Sequence, residues 1–266
     1  MYSKEKSQII ERSRIFNNRR RSIERISTGS EKLDELLAGG LETKAVTQFY
    51  GESGSGKTQI CHILSSIVSQ NKAYGGLDGK GIYIDTESSF RPERIEQIAT
   101  ARGFDVNLTL ENIILKIPTS VDEQELLIEK DIYHDLNESE KSRRVKLIVV
   151  DSPVALYRSE YVGRKMLSER QQKLYKFMMS LRQLAQKYNL AVVVTNQATT
   201  VPDSTIDPDE SCKPYGGNIM GHATTYGIHL SRIVTEPGIF RAQLVKSSYH
   251  PWGEVSFMIK RHGILD

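Results

Sequence analysis

The chain reads as an α/β protein whose mostly parallel central sheet is flanked by helices and extended by antiparallel C-terminal strands. Three observations predict this. From residue 26 onward, short apolar runs alternate with longer amphipathic stretches, the order that an open parallel sheet needs. The glycine-rich segment Gly51-Glu52-Ser53-Gly54-Ser55-Gly56-Lys57-Thr58 falls between one such apolar run and the helix after it. Toward the end of the chain the pattern turns to apolar–polar alternation, which suits antiparallel strands.

In order, the first helix is expected at residues 31–37, and residues 45–50 form an apolar strand that leads into the glycine-rich loop. The helix after that loop is expected at 58–70. Residues 81–85 are an apolar run ending in a carboxylate, followed by a helix at 92–102 that opens on Pro92. A strand at 113–116 and a helix at 120–131 form the next unit. Residues 146–151 run apolar into Asp151, the long amphipathic stretch 169–188 is helical, and 191–195 is again a strand. The alternating strands are expected at 227–232, 241–245 and 255–260. Each strand–helix–strand step is right-handed, so the strand C-terminal ends and the loops after them share one edge. Two loops stand out, at 159–165 and at 198–217, the second rich in Asp, Pro, Ser, Thr and Gly. Long loops in compact domains are usually functional or disordered.

At 266 residues the chain is long enough to bury a substantial core as one large domain. Cys61 and Cys212 are its only cysteines, which gives neither a disulfide framework nor metal-ligand spacing and fits a reducing, intracellular compartment. No run approaches the eighteen or so apolar residues of a membrane span, and the polar N-terminus excludes a signal peptide, so no membrane partner is expected. The net charge of +3 is modest, but Arg12, Arg14, Arg19, Arg20, Arg21 and Arg25 crowd the start of the chain. Such a segment is open to three readings: an arm touching nucleic-acid phosphates, a linker docking through apolar anchors such as Ile10 and Phe16, or a solvated helix. Residues 1–25 are therefore set apart as a basic linker or arm, and 26–266 as the core domain.

The segment from Gly51 to Thr58 has the form G-x-x-x-x-G-K-[ST] between a strand and a helix. Bare glycine backbone wraps closely around phosphate oxygens, and successive N–H groups with the helix N-terminus supply positive potential. The motif predicts a nucleoside triphosphate, with Lys57 on the β- and γ-phosphates and the Thr58 hydroxyl on Mg²⁺. Asp151, at the end of an apolar strand, is the candidate second holder of Mg²⁺. An Asp there is more often a cap or turn residue; the loop at Gly51 reverses that balance. Residues 82–87 deliver further carboxylates to the same edge. Glu87 is the candidate that orients the attacking water and accepts its proton, the alternative being a charge in the first turn of the next helix. Asp85 is expected to be structural.

Together, Ile26-Ser27-Thr28-Gly29-Ser30, Gly39-Gly40, GESGSGKTQ, IDTE, FRPERI, VVDS, LYRSEYVGR, ERQQKL, VTNQ and GGNIMGHA resemble the archaeal RadA-type recombinases of the RecA superfamily and their eukaryotic counterparts. The resemblance runs from Ile26 to the C-terminus and implies a RecA-like P-loop NTPase core. It further implies an ATPase that uses ATP and Mg²⁺, self-associates into helical filaments on single-stranded DNA and exchanges that strand with homologous double-stranded DNA in recombinational repair. Carried over by matching motifs, nucleotide contacts fall on Gly51, Glu52, Ser53, Gly54, Ser55, Gly56, Lys57, Thr58 and Gln59. Arg94 packs on the adenine, a task suited to a planar, permanently charged group. Gln197 senses the γ-phosphate, and His222 senses a nucleotide across the subunit interface. The two long loops face DNA: Arg158, Arg164 and Lys165 in the first and Arg170 beside it make sequence-independent phosphate contacts. The second loop is acidic from Asp203 to Glu210 and has no aromatic residue before Tyr215, which leaves its DNA contact the less certain of the two.

The pattern departs from the family at three places. No helical domain precedes the linker, and the position of the Phe-x-x-Ala docking motif reads Ile10-Glu11-Arg12-Ser13, a weaker filling for the neighbour's pockets. These two departures fit a shortened piece, or a natural short paralogue that binds ATP and DNA and assists a full-length recombinase. The third is Lys246, in the segment through Pro251 that resembles the cap over the neighbour's nucleotide. Relatives carry a cation-recruiting Asp there, and an ammonium places equivalent charge on the phosphate; a solvated surface lysine is the alternative. A further reading, a superfamily ATPase with another substrate, is disfavoured by the arginines at 158 and 164.

Overall fold

The structure is a computed structural model that describes residues 22–139, 143–200 and 212–266. The arginine run through Arg21, the docking position at 10–13 and the acidic stretch 203–210 lie outside the described residues.

The chain opens with β1 (Arg25–Ile26), α1 (Glu31–Leu36), β2 (Leu41–Glu42), β3 (Ala45–Gly51) and α2 (Lys57–Ile67). Next come β4 (Lys80–Asp85), α3 (Pro92–Arg102), α4 (Val106–Glu111), β5 (Ile113–Lys116), α5 (Val121–Leu126) and α6 (Ile132–Ser139). They are followed by β6 (Val145–Asp151), α7 (Ala155–Glu160), α8 (Leu167–Tyr188), β7 (Ala191–Thr200), β8 (Cys212–Pro214) and α9 (Gly217–Ala223). The chain closes with β9 (Tyr226–Arg232), β10 (Ile239–Lys246), β11 (Gly253–Lys260) and β12 (Gly263–Leu265).

The main sheet has the order β12-β11-β10-β9-β3-β7-β6-β4-β5, with β8 paired to β7. Strands β3 to β7 are parallel to one another, as the alternating pattern predicts, and β8 pairs antiparallel with the end of β7. Strand β9 corrects the expectation for the C-terminal stretch: it runs parallel to β3 on one side and antiparallel to β10 on the other. Only from β10 onward is the extension purely antiparallel.

Alternate residues of the central strands feed two cores. Leu147, Val149 and Val193 pack with α2 residues Ile60, Leu64 and Ile67 on one face. Ile148, Val150, Val192 and Val194 pack on the other against Leu174, Phe177, Met178 and Leu181 of α8. That α8 spacing of three and four residues makes one apolar stripe. A sheet covered on both faces explains why these strands read as unbroken apolar runs. Each fully buried Leu or Ile contributes roughly 1.5–3 kcal/mol.

Several boundaries differ from expectation, for local reasons. Helix α2 stops at Ile67 rather than residue 70 because the returning chain takes its last carbonyls: Leu77 and Gly79 donate to Val68, and Asp78 to Gln70. The helix expected at 120–131 is α5, then a π-helical turn at Leu127–Asp131, then α6, so the helical run extends to Ser139. Helix α4 was not anticipated; Asp105 caps it by accepting the Leu108 N–H at 2.9 Å, and the exposure of Leu108 weakens its apolar signal. Residues 22–25, assigned by sequence to the arm, are joined to the body. Arg25 pairs with Glu42 across β1 and β2, and Glu24 accepts from Asn189 at 3.2 Å and forms an ion pair with Lys146. Among the described residues, no helix is long and apolar enough to cross a membrane.

Candidate nucleotide site and nucleic-acid surface

Strand β3 ends at Gly51 and α2 begins at Lys57, so the intervening loop stands at the C-terminal edge of the sheet. Gly51 is required sterically: a Cβ there would lie 2.1 Å from the Leu230 carbonyl oxygen and 2.7 Å from Ser55 Oγ. Gly56 caps α2 at φ 95°, a conformation that strains any residue with a side chain. Glu52, Ser53 and Gly54 are exposed, while Ser55 is buried under the loop. Lys57 Nζ lies across the loop, donating to the carbonyls of Gly51 at 3.0 Å and Glu52 at 2.7 Å. Its ammonium and the loop N–H groups form an anion site of the kind that phosphate requires.

The Asp151 carboxylate is the hub below this loop. It is buried and accepts hydrogen bonds from Thr58 Oγ1 (2.8 Å), Tyr83 OH (3.0 Å), Ser89 Oγ (3.0 Å) and Thr195 Oγ1 (2.5 Å). Burial and the nearby carboxylate push the Tyr83 phenol well above its ordinary pKa, so it stays a donor. Thr58 and Asp151 thus offer adjoining hard oxygen ligands, the donor set that suits Mg²⁺. Among the described residues no group of three or more His, Cys, Asp or Glu could hold a metal ion by itself.

Asp85 has the structural role expected of it, accepting backbone N–H groups from Glu87 (3.2 Å), Ser89 (3.0 Å) and Phe90 (2.9 Å). These bonds shape the turn that aims Glu87 back toward β6, where Glu87 Oε1 accepts from Ser152 Oγ at 3.0 Å. The Asp151–Ser152 peptide is cis. Beneath the turn, His62 stacks against Tyr83 and its Nε2 accepts the Arg91 N–H at 3.1 Å. Burial lowers the His62 pKa to about 4, which keeps the ring neutral and that nitrogen available as an acceptor.

Glu87, Ser152, Arg158, Asn196 and Gln197 surround one open cleft of about 420 Å³. Arg158 NH1 donates to Gln197 Oε1 at 2.6 Å. The candidate water activator, the candidate γ-phosphate sensor and a candidate DNA contact therefore share one cavity. Arg158 lies in α7 rather than in a loop, a correction to the sequence reading that comes from residues 155–160 closing a helical turn on Val154. Arg164 and Lys165 sit exposed in a 3-10 turn, and Arg170 is inside α8, three residues past its start. The second loop is shorter than expected: residues 198–200 continue β7 and pair with β8, and Gly217 starts α9.

Arg94 is tied within the chain: Nε donates to Gln59 Oε1 at 2.7 Å, and NH2 donates to the Lys260 carbonyl at 2.6 Å. This holds the guanidinium between α2 and β11, next to the phosphate loop.

His222, Lys246 and Pro251 do not join that group. Lys246 Nζ donates to the carbonyls of Gly221 and Thr224, and Thr225 donates to the Val46 carbonyl at 2.7 Å, near the start of β3. Burial, then the charge of Arg182, lowers the Lys246 pKa. Within the chain Lys246 thus ties down the end of α9, beside exposed His222. Val46 and Gly51 are five residues apart on one strand, roughly 16 Å, so these residues lie at the opposite edge from the loop.

Four contributors escaped the sequence reading. Tyr83, Ser89 and Thr195 bind Asp151 from three different segments, and Ser152 holds Glu87. Tyr83 sits near the C-terminal end of β4, the one signal that pointed to this edge, whereas Thr195 lies midway along β7.

The Rad51 family model matches residues 19–266. The chain is also similar to a DNA repair and recombination protein RadA of Cenarchaeum symbiosum (strain A), with 41% identity over 249 residues. The match covers 93% of this chain and 60% of that relative, so the chain spans about three fifths of the length of the curated protein it matches.

Proposed function

The chain belongs to the Rad51 family, and from that premise we propose that it is the ATPase core of a DNA recombinase. In this reading it binds ATP and Mg²⁺, polymerises on single-stranded DNA and pairs that strand with a homologous duplex. The observation that carries the reading is the split site. Gly51 to Gln59, Arg94, Glu87 and Asp151 occupy one edge of the sheet and His222, Lys246 and Pro251 the other, so one subunit supplies each half and a head-to-tail neighbour completes it. Heterologous contacts of this kind build helical filaments when the rotation does not close.

In the assembled site Lys57 and the loop N–H groups hold the phosphates; Thr58 and Asp151 would hold Mg²⁺, which when bound would supply positive charge to offset that of the phosphates. Glu87 orients a water and takes its proton as the water oxygen bonds to the γ-phosphorus and the bond to the bridging oxygen breaks. Arg94 lies beside the base, and His222, Lys246 and Pro251 meet the nucleotide from the neighbouring subunit. Gln197 reports the γ-phosphate to Arg158, and Arg158, Arg164, Lys165 and Arg170 grip the strand through its phosphates without reading sequence.

Electron microscopy of the full chain with single-stranded DNA and a slowly hydrolysed ATP analogue tests this reading. Regular helical filaments are expected. Discrete monomers or dimers would contradict it and favour a paralogue that assists a full-length recombinase without exchanging strands itself.

A further inference from the structure

The Tyr215 ring sits against two arginines. The Arg158 guanidinium lies 4.6 Å from its centroid and that of Arg170 lies 5.4 Å from it. These arginines come from different helices, α7 and α8. Like charges brought together repel, and the negative face of an aromatic ring offsets that repulsion while leaving the in-plane N–H donors free for an anion. The ring in turn is placed by the end of β7. Tyr215 N–H donates to the Gln197 carbonyl at 2.9 Å, and Asn196 Nδ2 donates to the Tyr215 carbonyl at 2.7 Å. The Gln197 side chain then accepts from Arg158 at 2.6 Å. A shift of Gln197 therefore reaches Arg158 twice, by the direct hydrogen bond and through the ring, and reaches Arg170 through the ring alone.

We propose that Tyr215 is a positioning residue that couples the nucleotide-facing end of β7 to the grip of Arg158 and Arg170 on single-stranded DNA. It holds both guanidinium groups in register with Gln197, so that what Gln197 senses is transmitted to two phosphate contacts rather than one. The aliphatic part of a leucine or methionine fills similar space but presents no π face, and it leaves the two arginines without a common seat.

The inference rests on the recombinase reading, and one experiment separates the two. The affinity of the full chain for a fluorescently labelled oligo-dT is measured with and without a slowly hydrolysed ATP analogue, for the wild type and for Tyr215→Leu, Tyr215→Met and Tyr215→Phe. The wild type is expected to bind about 10-fold more tightly with the analogue, a coupling of ordinary size. In the Leu and Met variants the ratio falls to within about 2-fold of unity while affinity for the analogue itself is unchanged; the Phe variant keeps the wild-type ratio. If the Leu variant does not fold, the Met variant decides. A wild-type ratio retained by the Leu or Met variant overturns the role of Tyr215 and leaves the recombinase reading standing. A wild-type ratio of one removes that reading, and this inference with it.

Discussion

Glu87→Gln is expected to lower ATP turnover by roughly 10²–10⁴-fold, the range that a positioned general base contributes, while nucleotide affinity is retained. Three features of the site produce this outcome. Asp85 fixes the turn through the N–H groups of Glu87, Ser89 and Phe90, so the side chain at 87 keeps its direction after the substitution. Ser152 Oγ, which donates to Glu87 Oε1 at 3.0 Å, finds an equivalent oxygen in the amide. What glutamine lacks is the capacity to accept a proton from the attacking water. Phosphate release under saturating ATP, paired with titration of a fluorescent nucleotide, separates the two effects. Turnover retained near the wild-type rate would take the base role away from Glu87.

The second large effect is expected from Lys57→Ala, with a loss of nucleotide affinity on the order of 10–100-fold. That range corresponds to the loss of one charge-assisted hydrogen bond, about 1.5–3 kcal/mol. In the chain alone, Lys57 Nζ rests on the carbonyls of Gly51 and Glu52, so the ammonium is already poised over the loop. Its removal is not expected to undo the fold, because the loop ends are fixed independently: Thr58 is bound to Asp151, and Gly51 lies within the paired length of β3 and β7. Isothermal titration with an ATP analogue, checked against the melting temperature, reads the loss directly. Unchanged affinity would mean that the loop at Gly51 is not the phosphate site.

The legible parts of this molecule were those in which chemistry is local in sequence. The phosphate loop, the apolar strand ending in Asp151 and the stripe on α8 each declare themselves within a short window, and each stands where expected. Strand β9 was misjudged because alternation reports which faces are buried and says nothing of the direction of the neighbouring strand. Helix α7, whose last residues from Arg158 fall in the expected first loop, has six residues, too few to show a period. The extension of β7 depends on β8, and such a partner is invisible to a window that holds only one of them. The same limit applied to the site. Asp151 and Thr58 were named from their motifs, but the hydroxyls of Tyr83, Ser89 and Thr195 that also bind Asp151 come from segments brought together only by the sheet. Tyr215 registered in the sequence only as an aromatic after an acidic stretch; its stacking with Arg158 and Arg170 is a product of the fold.

The central claim is that a triphosphate held by the loop at Gly51 controls how firmly Arg158 and its neighbours hold a DNA strand, through Gln197. The most direct measurement is the affinity of the unaltered chain for single-stranded oligonucleotide with no nucleotide, with ADP and with an ATP mimic, in one buffer of fixed ionic strength because phosphate contacts are salt-dependent. The account predicts tight binding and self-association with the ATP mimic and weaker binding in the other two conditions. Equal affinity in all three, with no self-association in any, would contradict it.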